Sequence, residues 1–153
     1  MKAYRGSTLV KTLTVAGTAT SVQVSGLANG HGHTFTVTAR NGVGYGPSSA
    51  RSATVVPRTV PTAPRIGTAS AGSASAVVRW AAPVSNGGAA ITGYQVRVYR
   101  GSTLLKTVAV GPSGTSTTVG GLARRVGHRF VVVATNAAGS SPTSAWSATV
   151  TPR

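Results

Sequence analysis

Short runs in which apolar and polar residues alternate recur along the chain, and no stretch sustains a period of 3.6. In the second half Ala76, Val78 and Trp80 share one face of such a run. Tyr94, Val96 and Val98 share the inner face of the next, with Gln95, Arg97 and Tyr99 outside. His128, Phe130, Val132 and Ala134 line a longer one. A period of two predicts half-buried strands with one face toward a core. Strands are expected over 65–70, 74–80, 94–99, 103–110, 115–119, 128–134 and 147–151, separated by clusters of Gly, Pro, Asn and Ser. The first half predicts strands over 20–24, 33–40 and 53–56, with a loop from Asn41 to Pro47. Seven short strands in roughly 93 residues, with turn signals between them, predict a β-sandwich.

One stretch occurs twice. YRGSTLVKTLTV, beginning at Tyr4, returns as YRGSTLLKTVAV, beginning at Tyr99, and the match runs without a gap to Arg58 and Arg153. The offset is about 95 residues and a little over half of the positions are identical. A fixed long period means tandem copies of one module. The expected organisation is a partial module over 1–58, a linker over 59–63 and a complete module over 61–153. Pro57, Pro61 and Pro64 make the linker short and stiff. The first copy lacks counterparts of the first two strands and most of the third, so Val22, Val24, Phe35 and Val37 have no opposing sheet. Half a module of this size does not bury enough surface to stand alone. Three outcomes are open for it: completion by upstream sequence, completion by strands of another chain, or loose order.

Charge changes the picture most. The 153 residues hold 15 Lys and Arg, 12 of them Arg, and no Asp or Glu, for a formal net charge of +15. No side-chain carboxylate exists to pair with these cations, so each is expected to face water or a partner. The balance favours polyanions: nucleic acid, anionic cell-wall polymer, an acidic surface or an anionic membrane face. Carboxylate acid/base pairs, carboxylate calcium sites and a Ser-His-Asp triad are all excluded. With no cysteine there is no disulfide and no thiolate ligand. His31 and His33, two apart, offer no third ligand, so no metal, cofactor or catalytic residue is expected. The Gly-rich runs at 42–46 and 86–88 lack the strand-to-helix setting of a phosphate loop and read as turns. No apolar run is long enough to cross a membrane as a helix, and MKAYRGSTLV holds none of the kind a secretory signal uses.

Several motifs together carry a resemblance. They are PTAP at 61–64, Trp80 followed by AAP, SNGGAAITGY at 85–94, Gly121-Leu122, FVVVATNAAG at 130–139 and SAWSATVTP at 144–152. At these residues the chain resembles the fibronectin type III family, in the version strung along secreted enzymes and surface proteins of high-GC bacteria. The resemblance covers 61–153 directly and the first copy through the repeat. It implies an all-β, immunoglobulin-like sandwich. It also implies a Tyr two residues before the Phe at one corner; here His128 and His33 stand there, and an imidazole nitrogen could make a similar backbone bond.

Differences between the copies single out the candidate surface. Arg97 and Arg129 are expected to point outward on neighbouring strands, with Arg100 and Lys106 nearby and Arg124 and Arg125 at the corner. Such a face suits phosphate or sulfate groups through bidentate guanidinium geometry. Trp146 replaces Arg51 of the first copy, and reads either as an edge cover or as an exposed contact residue. Trp80 is expected in the core. The leading expectation is a non-catalytic spacer or adhesion module, extracellular or surface-associated, in an assembly such as a virion surface, with a protein or polysaccharide surface as partner. A polyanion-binding protein and an accessory module severed from a secreted polysaccharide-degrading enzyme are the alternatives.

Overall fold

The computed structural model describes residues 1–153, all strand, turn and coil. The chain divides into two compact units, Met1–Arg58 and Thr59–Arg153. Unit 2 holds β6 (Arg65–Gly72), β7 (Ser75–Ala81), β8 (Ile91–Arg100), β9 (Thr103–Val110), β10 (Ser116–Gly120), β11 (Arg129–Asn136) and β12 (Gly139–Ser140). They form two antiparallel sheets, ordered β10-β7-β6 and β12-β11-β8-β9. Between the sheets lie Ala76, Val78, Trp80, Tyr94, Val96, Val98, Val119, Leu122, Phe130, Val132, Ala134 and Val150, all buried. The inward faces are those the alternation predicts, because in a strand every second side chain falls on one side of the sheet. The Trp80 and Tyr94 rings pack at 5.6 Å between centroids, and burial pushes the Tyr94 hydroxyl pKa above its usual value.

β11 departs from simple alternation. Val131 and Val133 belong to the outward face, opposite Arg97 and Gln95 of β8, yet both are buried. FVVVA is a continuous apolar run, the pattern of a strand covered on both faces. Arg97 and Gln95 are half-buried, so their aliphatic stems flank this stripe while their polar ends reach water.

The expected strand over 147–151 does not form; Val150 makes only an isolated bridge to His128. In its place runs an edge segment with a period of three, in which Ser141, Ser144, Ser147 and Val150 are buried and the residues between them are exposed. The hydroxyls of Ser141, Ser144 and Ser147 accept the backbone N–H groups of Ala134, Val132 and Phe130 at 2.9–3.0 Å. Each hydroxyl donates in turn to the carbonyl of the next residue, at 2.7–2.8 Å. The serine N–H groups bond back to the carbonyls of the same β11 residues. Three residues of the segment therefore advance against two of β11, and a side chain supplies what a regular strand's backbone would.

Unit 1 holds β1 (Lys2–Arg5), β2 (Thr8–Thr12), β3 (Thr34–Thr36), β4 (Thr38–Arg40) and β5 (Tyr45–Ser48), with sheets β2-β1-β3 and β4-β5. Several expectations fail here, and the strand expected over 33–40 is split into β3 and β4. Residues 20–24 form no strand, because the partner that β7 provides for β10 in unit 2 has no counterpart. Tyr45 to Pro47, read as part of a loop, lie in β5, which pairs with β4. The serine device recurs: Ser52 and Ser49 accept the N–H groups of Phe35 and Val37. Residues 53–56, also expected as a strand, make one bridge, His33 to Val55. Burial differs sharply between the copies. Val37 is 55% exposed while its equivalent Val132 is 0% exposed, since only Val132 has a sheet packed over it.

At the far end of unit 2, Asn136 is buried and all its side-chain bonding capacity is directed inward. Its amide donates to the carbonyls of Thr59 and Asn86 at 2.8 and 2.7 Å, and its oxygen accepts from Ala138 and Gly139. Gly87 lets this junction close. Its φ is +71°, and a Cβ there would lie 2.1 Å from the Thr59 carbonyl oxygen.

Two predictions follow from these contacts. Ser144→Ala leaves the buried Val132 N–H unpaired and should cost about 1–3 kcal/mol, while exposed Thr143→Ala should stay within about 0.5 kcal/mol; urea unfolding of the two variants compares them. Gly87→Ala should lower Tm well beyond Gly101→Ala, which has a similar φ of +58° but open space around it; equal shifts would mean that the Thr59 carbonyl is not the constraint.

Candidate binding surface

The outward face of the four-stranded sheet carries Arg129, which differs between the copies, and beside it Trp146, which also differs. Tyr99 and Arg129 stand opposite each other on β8 and β11. Trp146 comes from the serine-spaced segment, at one of its exposed positions, and is 45% exposed. Its ring meets Tyr99 edge-on at 4.9 Å, with an interplanar angle of 80°. The Arg129 guanidinium stacks over the indole at 4.8 Å. Trp146 is therefore both edge cover and partly exposed, and the guanidinium already occupies part of the ring surface that a base or sugar would need.

Unit 1 solves the same problem with different residues. Tyr4, Arg51 and Thr34 occupy the positions of Tyr99, Trp146 and Arg129. The Arg51 guanidinium lies 4.2 Å over the Tyr4 ring and donates to the Gly6 carbonyl and the Thr34 hydroxyl at 2.7 and 3.0 Å. A cation thus stacks on an aromatic ring at this place in both units, but it comes from the edge segment in one and from β11 in the other.

The remaining cations fall into three settings. Arg97 shares the outward face and donates to Gln95 at 3.4 Å. Lys106 does not join that face: it pairs with Val98, an inward residue, and its ammonium donates to the Gly120 carbonyl, as Lys11 does to Ser25 in unit 1. Arg100, Arg124 and Arg125 are exposed at one end of the sandwich. Arg124 donates to the Ser73 hydroxyl at 3.3 Å. Arg125 has a φ of +59°, where unit 1 places Gly30 at +76°.

The corner histidines are interior. His33 and His128 are each 1% exposed, and the His33 Nε2 lies 3.2 Å from the Ala28 carbonyl, the backbone bond expected of the corner position. The Nδ1 atoms of His33 and His128 have no partner. His31 is exposed while His33 points inward, so the two do not converge. No group of three or more His, Cys, Asp or Glu comes together.

The serines of the edge segment were missed as a motif in the sequence, although S-x-x-S-x-x-S-x-x-V is written there from Ser141 to Val150, and S-x-x-S-x-x-V from Ser49 to Val55. A period of three belongs to neither the strand nor the helix template.

Comparison with known proteins follows this geometry. Residues 61–150 match the fibronectin type III domain family. The chain is 34% identical over 146 residues to chitinase A1 of Niallia circulans, covering 90% of this chain and 19% of that protein. It is 32% identical over 125 residues to a Kelch domain-containing protein of Saccharolobus solfataricus, covering 82% of this chain and 17% of that protein. It thus spans less than a fifth of the length of these relatives. Among solved structures, the chicken CNTN1 FN1–FN3 domains superpose with a TM-score of 0.53 at 20% identity, over 81% of this chain and 44% of that one. Titin kinase with its flanking domains does so with a TM-score of 0.52 at 28% identity, over 62% of this chain and 18% of that one.

Importing the unit 1 arrangement tests the stacked cluster. Trp146→Arg alone sets two guanidiniums side by side and should cost about 1–2 kcal/mol. Adding Arg129→Thr recreates the Arg51–Tyr4–Thr34 arrangement and should recover about half of that loss. Urea unfolding of the single and double variants reads the difference, and a double variant less stable than Trp146→Arg would refute the equivalence.

Proposed function

The chain belongs to the fibronectin type III family, and on that premise we propose that it serves as a non-catalytic spacer or adhesion module of an extracellular or surface assembly, a virion surface among them. The observation that carries this reading is where the polar side chains of unit 2 are directed. Ser141, Ser144 and Ser147 bond to β11, Asn136 to two loops, and Lys106 to the Gly120 carbonyl. These groups hold the scaffold, as the side chains of a structural module do. The small share of its relatives that the chain spans also suits a module rather than a whole activity.

A second reading, an accessory module of a polysaccharide-degrading enzyme, is favoured by the likeness to chitinase A1 over 90% of the chain. One experiment addresses both readings. The purified chain is incubated with insoluble chitin and with chromogenic glycoside, ester and peptide substrates. The spacer reading expects no turnover and no retention on chitin. Retention on chitin that survives high salt would transfer the proposal to the accessory module, and turnover above the buffer rate would overturn both.

Where no upstream sequence covers it, we propose that the exposed Phe35–Val37 face of unit 1 takes strands of the β6–β7 kind from another chain. Sedimentation with hydrogen exchange tests this: an associated species with protected unit 1 amides is expected, and a monomer with rapidly exchanging ones sinks it.

A further inference from the structure

We propose that one end of unit 2 is a binding site for an anionic polysaccharide carrying sulfate or phosphate ester groups, built around Arg124 and Arg125. This goes beyond the spacer reading and does not depend on it. The corner, the β6–β7 turn and the segment after Val150 are stitched by backbone hydrogen bonds. Leu122 donates to Ala74, Ala74 to Arg153, Arg153 to Gly72, and Arg125 to Pro152, all at 2.9–3.0 Å. Arg124 is further tethered through Ser73 at 3.3 Å. The β8–β9 turn lies at this same end, because Tyr99 pairs with Arg129 at the start of β11, directly after the corner. Arg100, Arg124, Arg125 and Arg129 therefore rise, all exposed, from a fixed backbone frame at one end of the sandwich.

The sister unit shows that this charge is not needed by the scaffold. The equivalents of Arg100, Arg124, Arg125 and Arg129 are Arg5, Asn29, Gly30 and Thr34, and Arg51 supplies the cation at the place of Arg129, so two cations stand where unit 2 has four and the corner pair has no counterpart. The backbone bond is the same in both, since Gly30 donates to Pro57 at 2.9 Å as Arg125 does to Pro152. The left-handed conformation there suits glycine, yet unit 2 holds an arginine in it. A side chain that is unfavourable for the backbone and redundant for the fold needs another reason to be present. Guanidinium groups on a rigid frame match the bidentate geometry of sulfate and phosphate oxygens, and no Asp or Glu side chain competes for them.

The surroundings favour a polysaccharide over a single-stranded nucleic acid. Sequence-tolerant binding of single strands needs aromatic faces open to stacking. Trp146 already carries the Arg129 guanidinium and the edge contact with Tyr99.

The test must separate a site from bulk charge. Arg124→Asn with Arg125→Gly installs the residues of the sister unit and lowers the net charge by two. Arg65→Ala with Arg79→Ala lowers it equally, at exposed positions on the other sheet. The probe is heparin, with neutral dextran and single-stranded DNA alongside, and Tm checks the fold of each variant. The corner pair should weaken heparin binding about tenfold and reduce the slope of log K against log salt by about two. The Arg65/Arg79 pair should change heparin affinity less than twofold. Equal losses in the two double variants would reduce the effect to net charge and overturn the site. Single-stranded DNA that binds as tightly as heparin, with the same dependence on Arg124 and Arg125, would replace the polysaccharide with a nucleic acid.

Discussion

The hydrogen bonds between β11 and the serine-spaced edge segment are the interaction on which the rest of unit 2 depends. β11 is the most buried strand, with Phe130 to Ala134 covered on both faces. Its N–H groups on the side away from β8 lie beside the core, where an unpaired donor costs about as much as one of the larger side-chain contacts contributes. Three serine hydroxyls supply the acceptors. Because each hydroxyl also donates to the carbonyl beside it, the segment satisfies itself and the strand at once. The same segment leaves Pro142 and Trp146 on the outside. A period-three edge containing proline offers no regular ladder to a further strand, which protects an otherwise exposed sheet edge from pairing with other chains.

The two units form an internal comparison, made on nearly the same residues. Ala3 and His33 are buried in unit 1 as Val98 and His128 are in unit 2, so the pairing of β1 with its neighbours survives alone. Phe35 and Val37 do not reach the burial of Phe130 and Val132. β11 is continuous, whereas its counterpart breaks at Val37 into β3 and β4. Local pattern is sufficient for hairpins and for the serine bonds; continuity of a long strand requires a second sheet to pack against.

Charge plays a different part from packing in this chain. With no acidic side chain, its cations pair only with carbonyls, hydroxyls and aromatic rings: Lys106 with Gly120, Arg124 with Ser73, and Arg129 with Trp146. These contacts position side chains without neutralising them, so a uniformly positive field surrounds a scaffold whose stability does not rest on ion pairs.

Sequence alone determined the module, its repeat, the inward faces of β7, β8 and β11, and the corner histidines, because each follows from a periodicity or a copy that local residues write out. The outward direction of Arg97 and Arg129 was legible for the same reason. Tertiary structure decided what depends on partners distant along the chain. Residues 20–24 fail to form a strand for want of a neighbour, although they alternate as their counterparts around Ser116–Gly120 do. Lys106 turned to a carbonyl across the sandwich rather than to the arginine face. Trp146 became half of a cation–aromatic stack whose other half lies on β11. The edge segment shows both sides of the division: its serines are plain in the sequence, but their meaning lies in the N–H groups of β11, which only the folded chain brings to them.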